Sequence, residues 1–102
     1  MKTRSAFRLT SRQFELIAKA LADPRRMALL ETIAGEDDCP CRRLRDQFPV
    51  SKATISHHIK ELARAGLVEA RREGQSLHCE VNREVLGAYT AELLRRVGGA
   101  GP

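Results

Sequence analysis

At 102 residues the chain has room for one domain and not for two. With three Phe, one Tyr and no Trp, its core must be built from aliphatic side chains, and so small a core is a first reason to expect pairing between copies. The net charge is +5 and it is concentrated: residues 42–72 hold Arg42, Arg43, Arg45, Lys52, Lys60, Arg64, Arg71 and Arg72 against Asp46, Glu61 and Glu69, so the rest of the chain balances. A basic block inside a folded segment suits a phosphate-bearing partner, the alternative being a merely solvated face. No apolar run follows Met1-Lys2-Thr3-Arg4 and Lys19 interrupts the best apolar stretch, so neither an export signal nor a membrane span is expected. The protein is expected in the cytoplasm with its three cysteines as reduced thiols, and their odd number argues against a disulfide framework.

Thr10 and Gln13 have capping-box spacing, which predicts a first helix from Thr10 or Ser11 with Phe14, Ile17, Ala18 and Leu21 on its apolar stripe. Asp23-Pro24 restarts the chain as a second helix, with Asp as N-cap and Pro preset for the first turn. That helix carries Met27, Leu30 and Ile33 and stops at Gly35. After the acidic loop Glu36-Asp37-Asp38 a short third helix is expected from Cys41 to about Gln47; with Pro40 at its first position, Cys39 would be its N-cap and Cys41 would lie in its first turn. Pro49 bars further helix. Ser51 then caps a fourth helix, Val50 and Ile55 forming a hydrophobic staple, with Ile55, Ile59 and Leu62 buried and Gly66 at the end.

Leu67–Arg71 reads as a strand, and Leu77, Cys79 and Val81 alternate with His78 and Glu80 as another, joined by a charged tip at Arg72-Glu73-Gly74-Gln75. Asn82 caps a last helix on which Leu86, Tyr89, Leu93 and Val97 share a face. The predicted class is mostly α with a small β-hairpin, in the order α-α-α-α-β-β-α: a helix-turn-helix with a wing. Residues 1–97 form that domain and residues 98–102 a flexible glycine-rich tail.

On a helical wheel with Ile55 inward, Ala53, His57, Lys60 and Arg64 lie on the outer side, flanked by Thr54 and Ser56. A helix entering the major groove needs short donors and acceptors near its N-terminus and cations further along, and Ser51-Lys52 supplies that N-terminus. His57 and His58 are adjacent and cannot point the same way; His57 is read toward the groove and His58 toward the helix edge. Arg71, Arg72 and Gln75 at a glycine-bearing tip suit backbone or minor-groove contact. The candidate partner is therefore double-stranded DNA. A winged helix that binds protein instead would carry acids or large apolar residues on this face, and it has none. No glycine-rich phosphate loop and no Ser/His/Asp or Cys/His grouping points to an enzyme.

The segment from Leu21 to Val81 resembles the arsenic-repressor (ArsR/SmtB) family of bacterial regulators. The residues that carry the likeness are Leu21–Arg26, Cys39-Pro40-Cys41-Arg42-Arg43-Leu44, the run Ser51–Leu62, Ala65-Gly66-Leu67-Val68 and the wing Arg71–Gln75. The resemblance implies a repressor bound as a homodimer to an inverted-repeat operator and released by an effector. It also implies an interface through the first and last helices, for which Phe14, Ile17, Leu86, Tyr89, Leu93 and Val97 are the candidates. Metalloid-binding members carry a Cys-x-Cys pair where Cys39 and Cys41 stand, and soft trivalent arsenic or antimony, As(III) or Sb(III), prefers thiolate sulfur. The third cysteine of that pattern falls at Leu44, and residues 83–97 contain no His. Three roles stay open for Cys39 and Cys41: metalloid sensing, thiol redox sensing, or none. Cys79 reads as a buried structural thiol.

Overall fold

The computed structural model describes residues 8–98; the basic start and the tail from residue 99 onward lie outside the described residues. The elements are α1 (Ser11–Leu21), α2 (Pro24–Ala34), β1 (Cys39–Pro40), α3 (Cys41–Gln47), α4 (Lys52–Arg64), β2 (Val68–Glu73), β3 (Ser76–Val81) and α5 (Arg83–Val97). Four helices start where a side chain can accept a free backbone N–H. The N–H of Gln13 donates to Thr10 Oγ1 at 3.0 Å, that of Arg25 to Asp23 Oδ1 at 2.8 Å, that of Thr54 to Ser51 Oγ at 3.1 Å and that of Val85 to Asn82 Oδ1 at 3.2 Å.

The sheet departs from the expected hairpin. It has three antiparallel strands in the order β1-β3-β2, with Cys39 opposite Cys79 and Pro40 opposite His78. Pro40 is tolerated because β1 is an edge strand, where a missing N–H costs no ladder bond. Since Cys39 is committed to the sheet, it does not cap α3; the helix spans Cys41–Gln47 as expected, but with Pro40 as N-cap and no side-chain cap bond. Two residues are too few to leave a periodic signal, which is why the strand was not legible.

The core gathers Ile17, Leu29, Ile33, Leu44, Ile55, Leu62, Leu67, Cys39 and Cys79, all essentially inaccessible. Three details of the expected stripes change. On α1 the buried partner of Ile17 is Ala20, while Ala18 is exposed. On α2 Leu29 joins Leu30 and Ile33, and Met27, one turn earlier, reaches past the core edge and is exposed. On β3 Leu77 is exposed because it sits beyond the end of the sheet that the helices cover.

Between α4 and β2 the chain turns through a Schellman motif: the Leu67 N–H donates to Leu62 O at 3.0 Å and the Gly66 N–H to Ala63 O at 2.9 Å. Gly66 adopts φ +87°, a region that costs other residues of order 1–3 kcal/mol. The motif fixes the angle at which the wing leaves α4. At the wing tip Gly74 has φ +61° and forms with Gln75 the two-residue link between Glu73 and Ser76, the position where a type II′ hairpin takes glycine.

His58 is the one buried polar side chain among the described residues, and neither ring nitrogen has a protein partner. Burial pushes its pKa down from the ordinary imidazole value of 6.5, and Asp23 offsets this only in part. A histidine depressed in the folded state binds its proton first in the unfolded chain. Stability is therefore expected to be full above pH 6.5 and to fall as the pH drops below it. Urea titrations of wild type and His58→Gln between pH 5 and pH 8, a range chosen to span about three pH units around that value, check this: the variant should lose most of the slope.

Candidate nucleic-acid interface

The fourth helix presents two unlike faces. Ile55, His58, Ile59 and Leu62 are buried, whereas Lys52, Ala53, Ser56, His57, Lys60, Ala63 and Arg64 are exposed. The exposed set contains no acid and no large apolar side chain. The histidine pair divides as its adjacency requires, His57 outward and His58 inward. Ser51 and Thr54 are partly occupied by the cap, since their hydroxyls lie 3.0 Å apart while Ser51 Oγ accepts the Thr54 N–H. Arg64 makes a loose 3.7 Å pair with Glu61, whereas Lys52 and Lys60 have no ion-pair partner among the described residues.

On the wing, the strand alternation separates the two arginines that the sequence places side by side. Val68, Ala70 and Arg72 pair with Val81, Cys79 and Leu77 on the face that turns toward the helices. Glu69, Arg71 and Glu73 share the other face with Glu80 and His78. Arg71 is held there by carboxylates: its guanidinium lies 3.2 Å from Asp38, 3.0 Å from Glu73 and 3.9 Å from Glu80. His78 joins the same network, its Nδ1 3.3 Å from Asp38. Arg71 and Arg72, side by side in the sequence, therefore stand in different settings: Arg71 is engaged by carboxylates and links the wing to the α2–β1 loop.

Arg72 is free of carboxylates among the described residues. It lines a cavity of about 300 Å³ between α3 and the wing, together with Arg42, Arg45, Gln75 and Cys41. Arg42 and Arg45 belong to the basic block of the sequence, but only the packing of α3 against the wing lays them beside its tip.

The cysteines are arranged differently from the expected pair. All three are buried and free. Cys41 Sγ lies 2.9 Å from Cys79 Sγ, while Cys39 Sγ donates weakly to the Pro40 carbonyl at 3.7 Å. The hydrogen bond from Cys79 lowers the pKa of Cys41, helped by Arg45; the same contact and burial raise that of Cys79. Burial raises that of Cys39, with Glu36 adding to the effect. Cys41 and Leu44 stand three apart on one helix face, and that spacing is the signal that could have placed Cys41 in the core. The three sulfurs do not form a converged triad. Among the described residues, only Asp38, Glu73 and His78 bring three ligand atoms within 4.8 Å of one another, and Arg71 already occupies their carboxylates.

At the opposite end, Phe14 and Tyr89 pack with ring centroids 5.0 Å apart and the Arg96 guanidinium lies 4.0 Å over the Phe14 ring, tying α5 to α1. Glu92 accepts from Arg95 at 2.6 Å and from Arg96 at 2.8 Å, and these bonds hold its pKa down at about 2. Ile17 is wholly inside the protomer's core and Tyr89 largely so, which removes Ile17 from the set of interface candidates. A side chain with no accessible surface cannot meet a partner. Phe14 and Leu86 are half-buried, Leu93 and Val97 are exposed, and Leu94, missed in the sequence, is 65% exposed beside them.

A helix-turn-helix whose second helix shows a cationic, acid-free face, followed directly by a basic hairpin, defines a winged helix-turn-helix DNA-binding protein. A helix-turn-helix domain family model matches residues 21–71. The arsenical resistance operon repressor of Staphylococcus xylosus is 32% identical over 76% of this chain and 74% of its own. The structure of an ArsR-like transcriptional regulator from Rhodococcus sp. RHA1 superposes with a TM-score of 0.74 at 26% identity, covering 85% of this chain and 80% of that one. A homodimeric winged helix-turn-helix domain from Mycobacterium bovis, a possible ArsR-family regulator, gives a TM-score of 0.69 at 26% identity over 83% of this chain and 79% of that one. The chain belongs to the ArsR/SmtB family of winged helix-turn-helix transcriptional regulators. Among the described residues no helix is long and apolar enough to cross a membrane.

Proposed function

We propose that the protein is a transcriptional repressor that binds a double-stranded DNA operator of inverted-repeat symmetry as a homodimer. This reading rests on the exposed face of α4, which is cationic; the one acid of the helix, Glu61, is partly buried at its flank beside Arg64. In this reading Ser51, Lys52, Ala53 and Thr54 approach the duplex at the helix N-terminus, and Ser56 and His57 read base edges. Lys60, Arg64 and Arg72 hold phosphates, and Gln75 reaches out from the wing tip. Pairing through α1 and α5 is supported by the exposed Leu93, Leu94 and Val97, an apolar strip that one chain leaves uncovered. Two copies related by a two-fold axis would place their α4 helices in successive major grooves, about 34 Å apart.

Release by trivalent arsenic or antimony at Cys39 and Cys41 is the effector part of the proposal, and donor softness alone supports it. To chelate with Cys39, the Cys41 sulfur must leave Cys79. Unchanged release by arsenite in Cys39→Ser/Cys41→Ser removes this part without touching the rest.

The test is a fluorescence titration with a duplex selected from a random-sequence pool. Two chains per duplex, affinity that falls steeply with salt, and an altered preferred sequence for His57→Ala are expected. Binding indifferent to both salt and sequence would overturn the proposal.

A further inference from the structure

The contact between Cys41 and Cys79 is more than core packing. Their sulfurs stand 2.9 Å apart, about 0.9 Å longer than a disulfide bond, and no side chain lies between them. They come from segments 38 residues apart in sequence, the first turn of α3 and the middle of β3. The two thiols also differ in access. Cys41 lines the cavity between α3 and the wing, a space of about 300 Å³ that admits a small molecule, whereas Cys79 lies behind it with no accessible surface. Cys39, though opposite Cys79 in the sheet, has its sulfur on the Pro40 carbonyl and is outside the contact.

We infer that Cys41 and Cys79 are a redox-active dithiol: a hydroperoxide entering the cavity between α3 and the wing oxidises Cys41, and Cys79 resolves it to a reversible disulfide. In the first step the Cys41 sulfur attacks one peroxide oxygen, the O–O bond breaks, and the departing alkoxide leaves as an alcohol (or as water, from hydrogen peroxide) with the thiol's proton. Cys41 is then a sulfenic acid. In the second step the Cys79 sulfur attacks the Cys41 sulfur, the S–O bond breaks, and hydroxide leaves as water with the Cys79 proton. The two sulfurs lose two electrons in all and the peroxide gains them. A dithiol reductant reverses the bond by exchange. Arg42, Arg45 and Arg72 around the cavity favour the anionic sulfur that the first step needs. The bond would join α3 covalently to the wing strand.

This chemistry is read directly on the protein, so it stands or falls apart from the DNA-binding reading. The full chain is treated with hydrogen peroxide, alkylated under denaturing conditions and digested with trypsin. Free thiols should fall from three to one per chain, and the peptide 27–42 should appear joined to 73–83 in chains of monomer mass. Dithiothreitol should restore all three thiols. Because 27–42 holds both Cys39 and Cys41, the same digest on Cys39→Ala should still give the joined peptides, and on Cys41→Ala should not. Where a variant folds poorly, fragmentation of the joined wild-type peptides between Cys39 and Cys41 assigns the bond, and a bond from Cys39 to Cys79 would overturn the inference. A disulfide within 27–42, a bond between two chains, oxidation of Cys41 to sulfinic acid with Cys79 left free, or no loss of thiols would each overturn the inference.

Discussion

Replacing Lys52, Lys60 and Arg72 together by Gln is expected to flatten the salt dependence of duplex binding by about five in log–log slope and to weaken binding at low salt by about a thousandfold or more. Each phosphate contact releases a condensed counterion and adds about 0.9 to the slope, so three contacts per protomer, doubled by pairing, give this figure. These three side chains are chosen because they have no ion-pair partner among the described residues and stand on the exposed face of α4 or at the wing cavity. Arg71→Gln is the informative contrast. Its charge is already met by Asp38, Glu73 and Glu80, so its removal should leave the slope within about one of wild type. Equal slopes for Arg71→Gln and Arg72→Gln would show that the two faces of the wing are wrongly distinguished.

Leu44→Ala is expected to destabilise the fold by about 3 kcal/mol, within the range for truncating a fully buried leucine, and to lower the melting temperature by about 12–24 °C. Leu44 has no accessible surface and is the side chain by which α3 enters the core, beside Cys41 on the same face. Its loss leaves a cavity where α3 packs into the core. Leu94→Ala should behave in the opposite way. With 65% of its surface exposed, it contributes little to the protomer and should act on the self-association constant. Urea unfolding together with sedimentation equilibrium on both variants separates the two effects; a mild Leu44→Ala would mean that α3 is held mainly by something other than its apolar face.

The parts of the fold that were legible in the sequence are those fixed by local chemistry. Thr10, Asp23, Ser51 and Asn82 each accept a backbone N–H in the way their position before an apolar stripe requires. Gly66 and Gly74 fall where the chain needs a positive φ. The outer face of α4 followed from helical period alone, since Ile55, Ile59 and Leu62 leave only one side for His57 and Lys60. What was not legible depends on contacts between distant segments. The pairing of Cys39 with β3 extends over two residues, and nothing in Cys39-Pro40 marks it as strand. Arg71 and Arg72 look alike in sequence, and only the register against Leu77 and His78, with Asp38 arriving from another loop, sets them apart. Ile17 sits on the apolar stripe of a terminal helix, where core and interface residues follow the same spacing, so periodicity could not assign it. The thiol pair is the same kind of case: Cys41 belongs with Cys79 rather than with its neighbour Cys39, because α3 turns its first residue toward the sheet.

Contact between the exposed face of α4 and DNA is read out by a photo-activatable crosslinker placed at position 57. Irradiated with its selected duplex, the dimer should crosslink to bases within both half-sites, and the same probe at position 71 should give few DNA crosslinks. Crosslinks from position 57 to the partner subunit instead of the duplex would contradict the account, because the face assigned to the groove would then be an interface between protein chains.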